Sequence, residues 1–84
     1  MIYVVSHTRR QYTGQKGAPV SIRVYSNCDA VELFVNGKTA GMVEKKEVYS
    51  WNVILSEGPN TLHAIGSSRI GRVEDKVQVR YVVR

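Results

Sequence analysis

The sequence predicts an all-β chain, folded as a two-layer sandwich of about seven antiparallel strands. Three observations carry the prediction. Apolar and polar residues alternate with a period of two over most of the chain, and helical periodicity is almost absent. Asn36-Gly37 joins two alternating runs. Clusters of Gly, Pro, Asn, Asp and Ser recur at short, fairly regular intervals.

An opening strand is expected over residues 2–8, followed by a polar stretch at 9–16 that is either a loose connection or an extended edge segment. Val20, Ile22 and Val24 then alternate with Ser21, Arg23 and Tyr25, and Val31, Leu33 and Val35 alternate with Glu32, Phe34 and Asn36. Asn and Gly both tolerate positive φ, as a two-residue type I′ turn requires. The run before Asn36-Gly37 and the run after it should therefore fold back as an antiparallel hairpin. Further strands are expected at 39–44, 48–55 and 61–67. The last run places Val73, Asp75, Val77, Val79, Tyr81 and Val83 on one face and Glu74, Lys76, Gln78, Arg80, Val82 and Arg84 on the other. The separators are 14–19, 27–29, 45–47, 56–60 and 67–72, all of turn or loop composition. The interior set that follows is Val24, Leu33, Val35, Trp51, Val53, Leu62, Val77 and Val79.

A chain of 84 residues forms one domain, with little room for an enclosed active site. Apolar residues at 43% and charged residues at 23% are those of a folded chain. The net charge of +5 raises the question of a polyanion partner. The twelve Lys and Arg are scattered, however, with Glu44, Glu47, Glu74 and Asp75 among them, which describes a solvated surface rather than a nucleic-acid interface. Apolar runs such as 1–5 are far short of the ~20 residues that span a bilayer, so no membrane partner is expected. Cys28 is alone, which excludes an intramolecular disulfide, and it reads as a small, partly buried residue in the turn at 27–29.

The stretch from Val24 to Lys38, with Ser6-His7-Thr8 upstream and Trp51, Gly58, Asn60, Leu62 and Ala64 downstream, resembles a known family. It is similar to the small immunoglobulin-like domain near the C-terminus of many bacterial family-two glycoside hydrolases, the β-galactosidase group. The resemblance covers nearly the whole chain and is most specific over 24–37. It implies an immunoglobulin-like β-sandwich of unassigned function, with residues 1–84 a single domain cut from the C-terminal part of a larger enzyme. It further implies that the catalytic barrel precedes this domain, and that the parent is exported to the periplasm or beyond and acts on β-galactosides or related glycans. The family's catalytic carboxylates belong to the barrel, so none is carried onto this chain. Where the family has a tryptophan soon after the His-Thr pair, this chain has Arg9 and Arg10.

No catalytic constellation can be assembled from the residues. His7 and His63 fall on separate strands, and the pairs Glu44/Glu47 and Glu74/Asp75 are too close in sequence to flank a glycosidic bond about 5 to 10 Å apart. No metal-spaced cluster, phosphate loop or cofactor motif appears, so no cofactor is expected. Trp51 shares a strand face with Val53 and Leu55, which predicts a core position. Phe34, Ile65 and Val82 are out of phase with the core sets of their strands and should point outward from neighbouring strands of one sheet, as a patch that docks on other domains of the parent. The expectation is therefore a non-catalytic accessory module, monomeric in isolation. The alternative is a carbohydrate-binding module whose Tyr25, Tyr49 and Trp51, with Tyr12, stack on sugar rings beside Arg23 or Asn52.

Overall fold

The computed structural model describes residues 1–7, 10–44 and 48–84. The turn expected at 45–47, the departure at Arg9 and the side chain of His7 lie outside the described residues. The described elements are β1 (Ile2–Val4), a 3-10 turn (Val5–His7), β2 (Gln11–Gly14), β3 (Pro19–Ser26), β4 (Ala30–Val35), β5 (Lys38–Glu44), β6 (Val48–Ile54), β7 (Gly58–Ser68) and β8 (Gly71–Val83).

They form an immunoglobulin-like sandwich. One sheet has the order β1-β3-β6 and the other β2-β8-β7-β4-β5. The opening segment serves both layers: β1 pairs with β3 in the first sheet, and β2 crosses over to run parallel to β8 in the second. The polar stretch is thus an ordered edge strand, and the described strands number eight rather than seven. Its alternation supports this, because Tyr12 turns inward and its hydroxyl hydrogen-bonds that of buried Ser6 at 2.7 Å.

The hairpin forms as its sequence requires. Asn36 has φ 53° and Gly37 φ 84°, and Val35 pairs with Lys38 across a two-residue turn. One residue is extra on β5: Leu33 pairs with Gly41 and Phe34 with Thr39, leaving Ala40 in a bulge.

The inward faces of both sheets bury Val24, Leu33, Trp51, Val53, Leu62, Val77 and Val79, while Val35, near the hairpin, packs only partly against them. Asp75 leaves the apolar pattern of its face because its Oδ2 accepts the Val4 N–H at 2.8 Å. Three boundaries differ from expectation. The opening strand expected over 2–8 ends at Val4, where the chain turns through the 3-10 segment Val5–His7 on its way to the second sheet. β7 starts at Gly58 instead of near Thr61, and Pro59 is tolerated there because β4 ends opposite Leu62, so no neighbour on that side needs its missing N–H. The loop expected at 67–72 shrinks to Arg69 and Ile70, since Ser68 already pairs with Gly71.

Candidate functional site

The outer face of the five-stranded sheet collects the residues that alternation directs away from the core. Strand pairing lays them out in rows. Met42, Glu32, Ile65 and Glu74 are successive cross-strand partners, and the next row runs Thr39, Phe34, His63 and Lys76. Phe34 and Ile65 are both half-buried. The Phe34 ring packs against His63 with centroids 6.3 Å apart and planes tilted by 45°. Together with Gly37, Thr61 and Lys76, these three side chains line a shallow depression.

Polar contacts frame this apolar centre. His63 Nε2 and Glu74 Oε1 are 2.7 Å apart, and Arg72 Nη2 stands 3.8 Å from the other oxygen of Glu74. On the opposite flank the Thr39 hydroxyl donates to Glu32 Oε2 at 2.6 Å. These contacts are exposed and contribute little stability singly, but they hold the side chains around the depression in place.

Val82 points outward too, but it does not join the set. It pairs with Thr13 of β2, eight residues beyond Glu74 along β8, or about 26 Å at the rise of a strand. All three lie on the outer face, but only Phe34 and Ile65 come together, with His63, two residues before Ile65 on β7, directly opposite Phe34. The place of His63 beside Phe34 depends on the β4–β7 register, which no local pattern states.

The aromatic residues named for sugar stacking separate sharply. Tyr49 is fully enclosed and Trp51 is 6% exposed, so neither offers a ring face to a ligand. The reason is their shared parity on β6, which turns Tyr49, Trp51, Val53 and Leu55 inward together. Their rings stack on each other, the Tyr49 hydroxyl donates to Cys28 O at 2.8 Å, and the Trp51 indole N–H donates to Gly41 O at 3.0 Å across the layers. Tyr12 is buried as well. Tyr25 alone of the four remains exposed, at 42%.

Glu74 and Asp75 point to opposite sides of the sheet, one toward His63 and the other to the Val4 amide, so this pair cannot flank one bond. Among the described residues no group of three or more His, Cys, Asp and Glu could hold a metal ion, and no helix is long and apolar enough to cross a membrane. Cys28 is buried at 8% exposure, in contact range of Gly66.

Comparison with known proteins places this geometry in context. The sequence profile described as Domain of unknown function (DUF4982) matches residues 17–73. A "Putative beta-glucuronidase" of Formosa agariphila is 39% identical over 87 residues, which cover 94% of this chain and 10% of that protein. The apo structure of Bacteroides uniformis beta-glucuronidase 3 superposes with a TM-score of 0.94 at 37% identity, over 100% of this chain and 12% of its own. Parabacteroides merdae beta-glucuronidase gives a TM-score of 0.94 at 34% identity with the same coverage, 100% and 12%. The chain therefore spans about a tenth of the relatives it matches, and it is homologous to one small part of such glycosidases.

Proposed function

We propose that this chain, which belongs to the DUF4982 family, is a non-catalytic accessory module of an exported family-two glycoside hydrolase, packed against the other domains of its parent through the outer face of the five-stranded sheet. The parent acts on β-glucuronides, the class named for the relatives, or on β-galactosides, as the family resemblance implies. The observation that carries the reading is the half-buried Phe34–His63–Ile65 cluster, an apolar centre with a fixed polar frame on a sheet face over which no described element packs.

Covering that face removes apolar surface from water at about 25 cal/mol per Å². Glu74, His63, Arg72 and Glu32 would then sit at the margin of the contact, where charges set orientation more than affinity. Relatives in which the same fold recurs at more than 30% identity, as about a tenth of a long chain, support a role exercised within a larger protein.

The test is a paired substitution in the full-length parent. Phe34→Ser with Ile65→Ser should lower the parent's melting temperature and speed proteolysis at the boundary of this domain. The 84-residue chain alone should melt almost as before. A parent unchanged in both measurements would sink the docking reading.

A further inference from the structure

The three-stranded sheet carries a different kind of surface on its outer side. Tyr3 of β1 is the direct partner of Tyr25 on β3, and Tyr25 is the direct partner of Val48 on β6. All three are exposed, at 37%, 42% and 44%. The same face continues with Arg23 opposite Ser50 and Ser21 opposite Asn52, again exposed. Two phenol rings, one guanidinium, two hydroxyls and a primary amide thus share one sheet face with the aliphatic side chains of Val48 and, at its far end, Ile54, and no carboxylate lies on it among the described residues.

Directly opposed residues of an antiparallel pair have Cβ atoms about 4.5–5.5 Å apart, so Tyr3 and Tyr25 are side-by-side neighbours on this face. Tyrosine offers a rigid apolar body with a polar tip at small cost in side-chain entropy, and Ser and Asn supply adaptable hydrogen bonds. An aliphatic protein surface is poorly matched to so many hydroxyl and amide groups. The fitting ligand has flat faces lined by C–H bonds and a rim of hydroxyls, which is the chemistry of a pyranose. Arg23 lies two residues from Tyr25 on the same face and adds a fixed positive charge within reach of a substituent on a stacked sugar.

We propose that the outer face of the three-stranded sheet binds an acidic saccharide chain, with sugar rings on Tyr3 and Tyr25 and a uronate carboxylate on Arg23. The site stands on the opposite layer from the Phe34–Ile65 face, so saccharide and parent domains can be held together.

The experiment titrates the full chain with a short oligogalacturonate and with a neutral cello-oligosaccharide of equal length, by calorimetry and amide chemical-shift mapping. The acidic probe should bind more tightly and shift Tyr3, Arg23 and Tyr25. Tyr25→Ala and Tyr3→Ala should each weaken it by about tenfold, equivalent to about 1.4 kcal/mol, while Tyr25→Phe keeps most of the affinity. Arg23→Gln should abolish the preference for the acidic probe, and added salt should reduce it. Phe34→Ser with Ile65→Ser should leave saccharide binding unchanged, which separates this site from the docking reading. Failure of both saccharides to bind a chain that melts normally would overturn the proposal. So would equal affinity for the two probes, or a Tyr25→Ala variant that loosens the full-length parent instead of weakening the saccharide.

Discussion

The Asn36 side-chain amide donates to Asn60 Oδ1 at 2.9 Å, which ties the β4–β5 turn to the bend that opens β7. Asn60 is 1% exposed and uses every polar site it has. Its Nδ2 donates to Ser56 O at 2.8 Å and Gly58 O at 3.0 Å, and its Oδ1 also accepts the Ser56 N–H at 2.9 Å. Asn36 replies in kind, with its Oδ1 accepting the Thr61 N–H at 2.8 Å.

Removing this amide should therefore cost more than its apolar burial suggests. Asn60→Ala strands several partly buried backbone groups, each worth about 1–3 kcal/mol when unpaired. A loss of at least about 2 kcal/mol in urea unfolding is expected, with Asn60→Asp no milder, because a buried carboxylate oxygen would then face the Ser56 and Gly58 carbonyls that the amide now donates to. Equal stability of Asn60→Ala and the parent chain would show the network to be dispensable.

Gly37 tests the hairpin by itself. A Cβ at this position meets open space, so any penalty comes from backbone conformation at φ 84° rather than from a clash. Gly37→Val should destabilise by more than about 1 kcal/mol, and Gly37→Asn by clearly less. Identical melting of the Val variant would rule out the type I′ geometry.

For Trp51 the expected loss is that of a core aromatic. Trp51→Ala should cost about 3–5 kcal/mol, a threat to folding in a domain this small. Trp51→Phe should keep much of the packing but lose the bond to Gly41 O, for about 1 kcal/mol more than the volume change alone. A cost below 1 kcal/mol for the Ala variant would place the indole outside the core.

Gly66 and Cys28 should behave as a coupled pair. A Cβ on Gly66 would stand 2.7 Å from Cys28 Sγ and 3.3 Å from Ile2 Cδ1. Gly66→Ala is expected to destabilise by about 1–3 kcal/mol through overpacking. Cys28→Ala removes the nearest atom, so the double variant should be more stable than the sum of the single losses predicts. Strict additivity in a thermal double-mutant cycle would count against the contact.

What could be read in the chain followed from how local each determinant is. The β4–β5 hairpin rests on adjacent residues, and the inward faces of β3, β4, β6 and β8 rest on parity, so both were legible. The burial of Tyr49 was legible as well, since its parity matches that of Trp51. The pairing of β2 was not legible, because its partners on β8 lie about seventy residues away and nothing local names them. The outward residues illustrate the same boundary: phase gave Phe34, Ile65 and Val82 their common face, but only inter-strand register sets Val82 apart. Asn60 sits in a Gly-Pro-Asn run that reads as loop, and its role as a buried hub needs Asn36 brought to it by the fold.

The parallel pairing of β2 with β8 gives the molecule a mechanical character. Tension along the polypeptide first peels β1 from β3, an antiparallel contact of three registered pairs that opens one bond at a time. It then reaches β2, which points the same way as β8 and is tied to it from Arg80 N on Arg10 O, at 2.7 Å, to Arg84 N on Gly14 O, at 2.9 Å. Pulling the two ends apart slides these strands along each other, so the cross-links resist together in shear rather than in succession. Pulled from its two ends, the chain should yield in two stages, a soft one and then a stiff one, and single-molecule force spectroscopy would resolve them. The short edge strand that looks like a loose connection in the sequence is thus the clasp that sets how much load the sandwich bears before it opens.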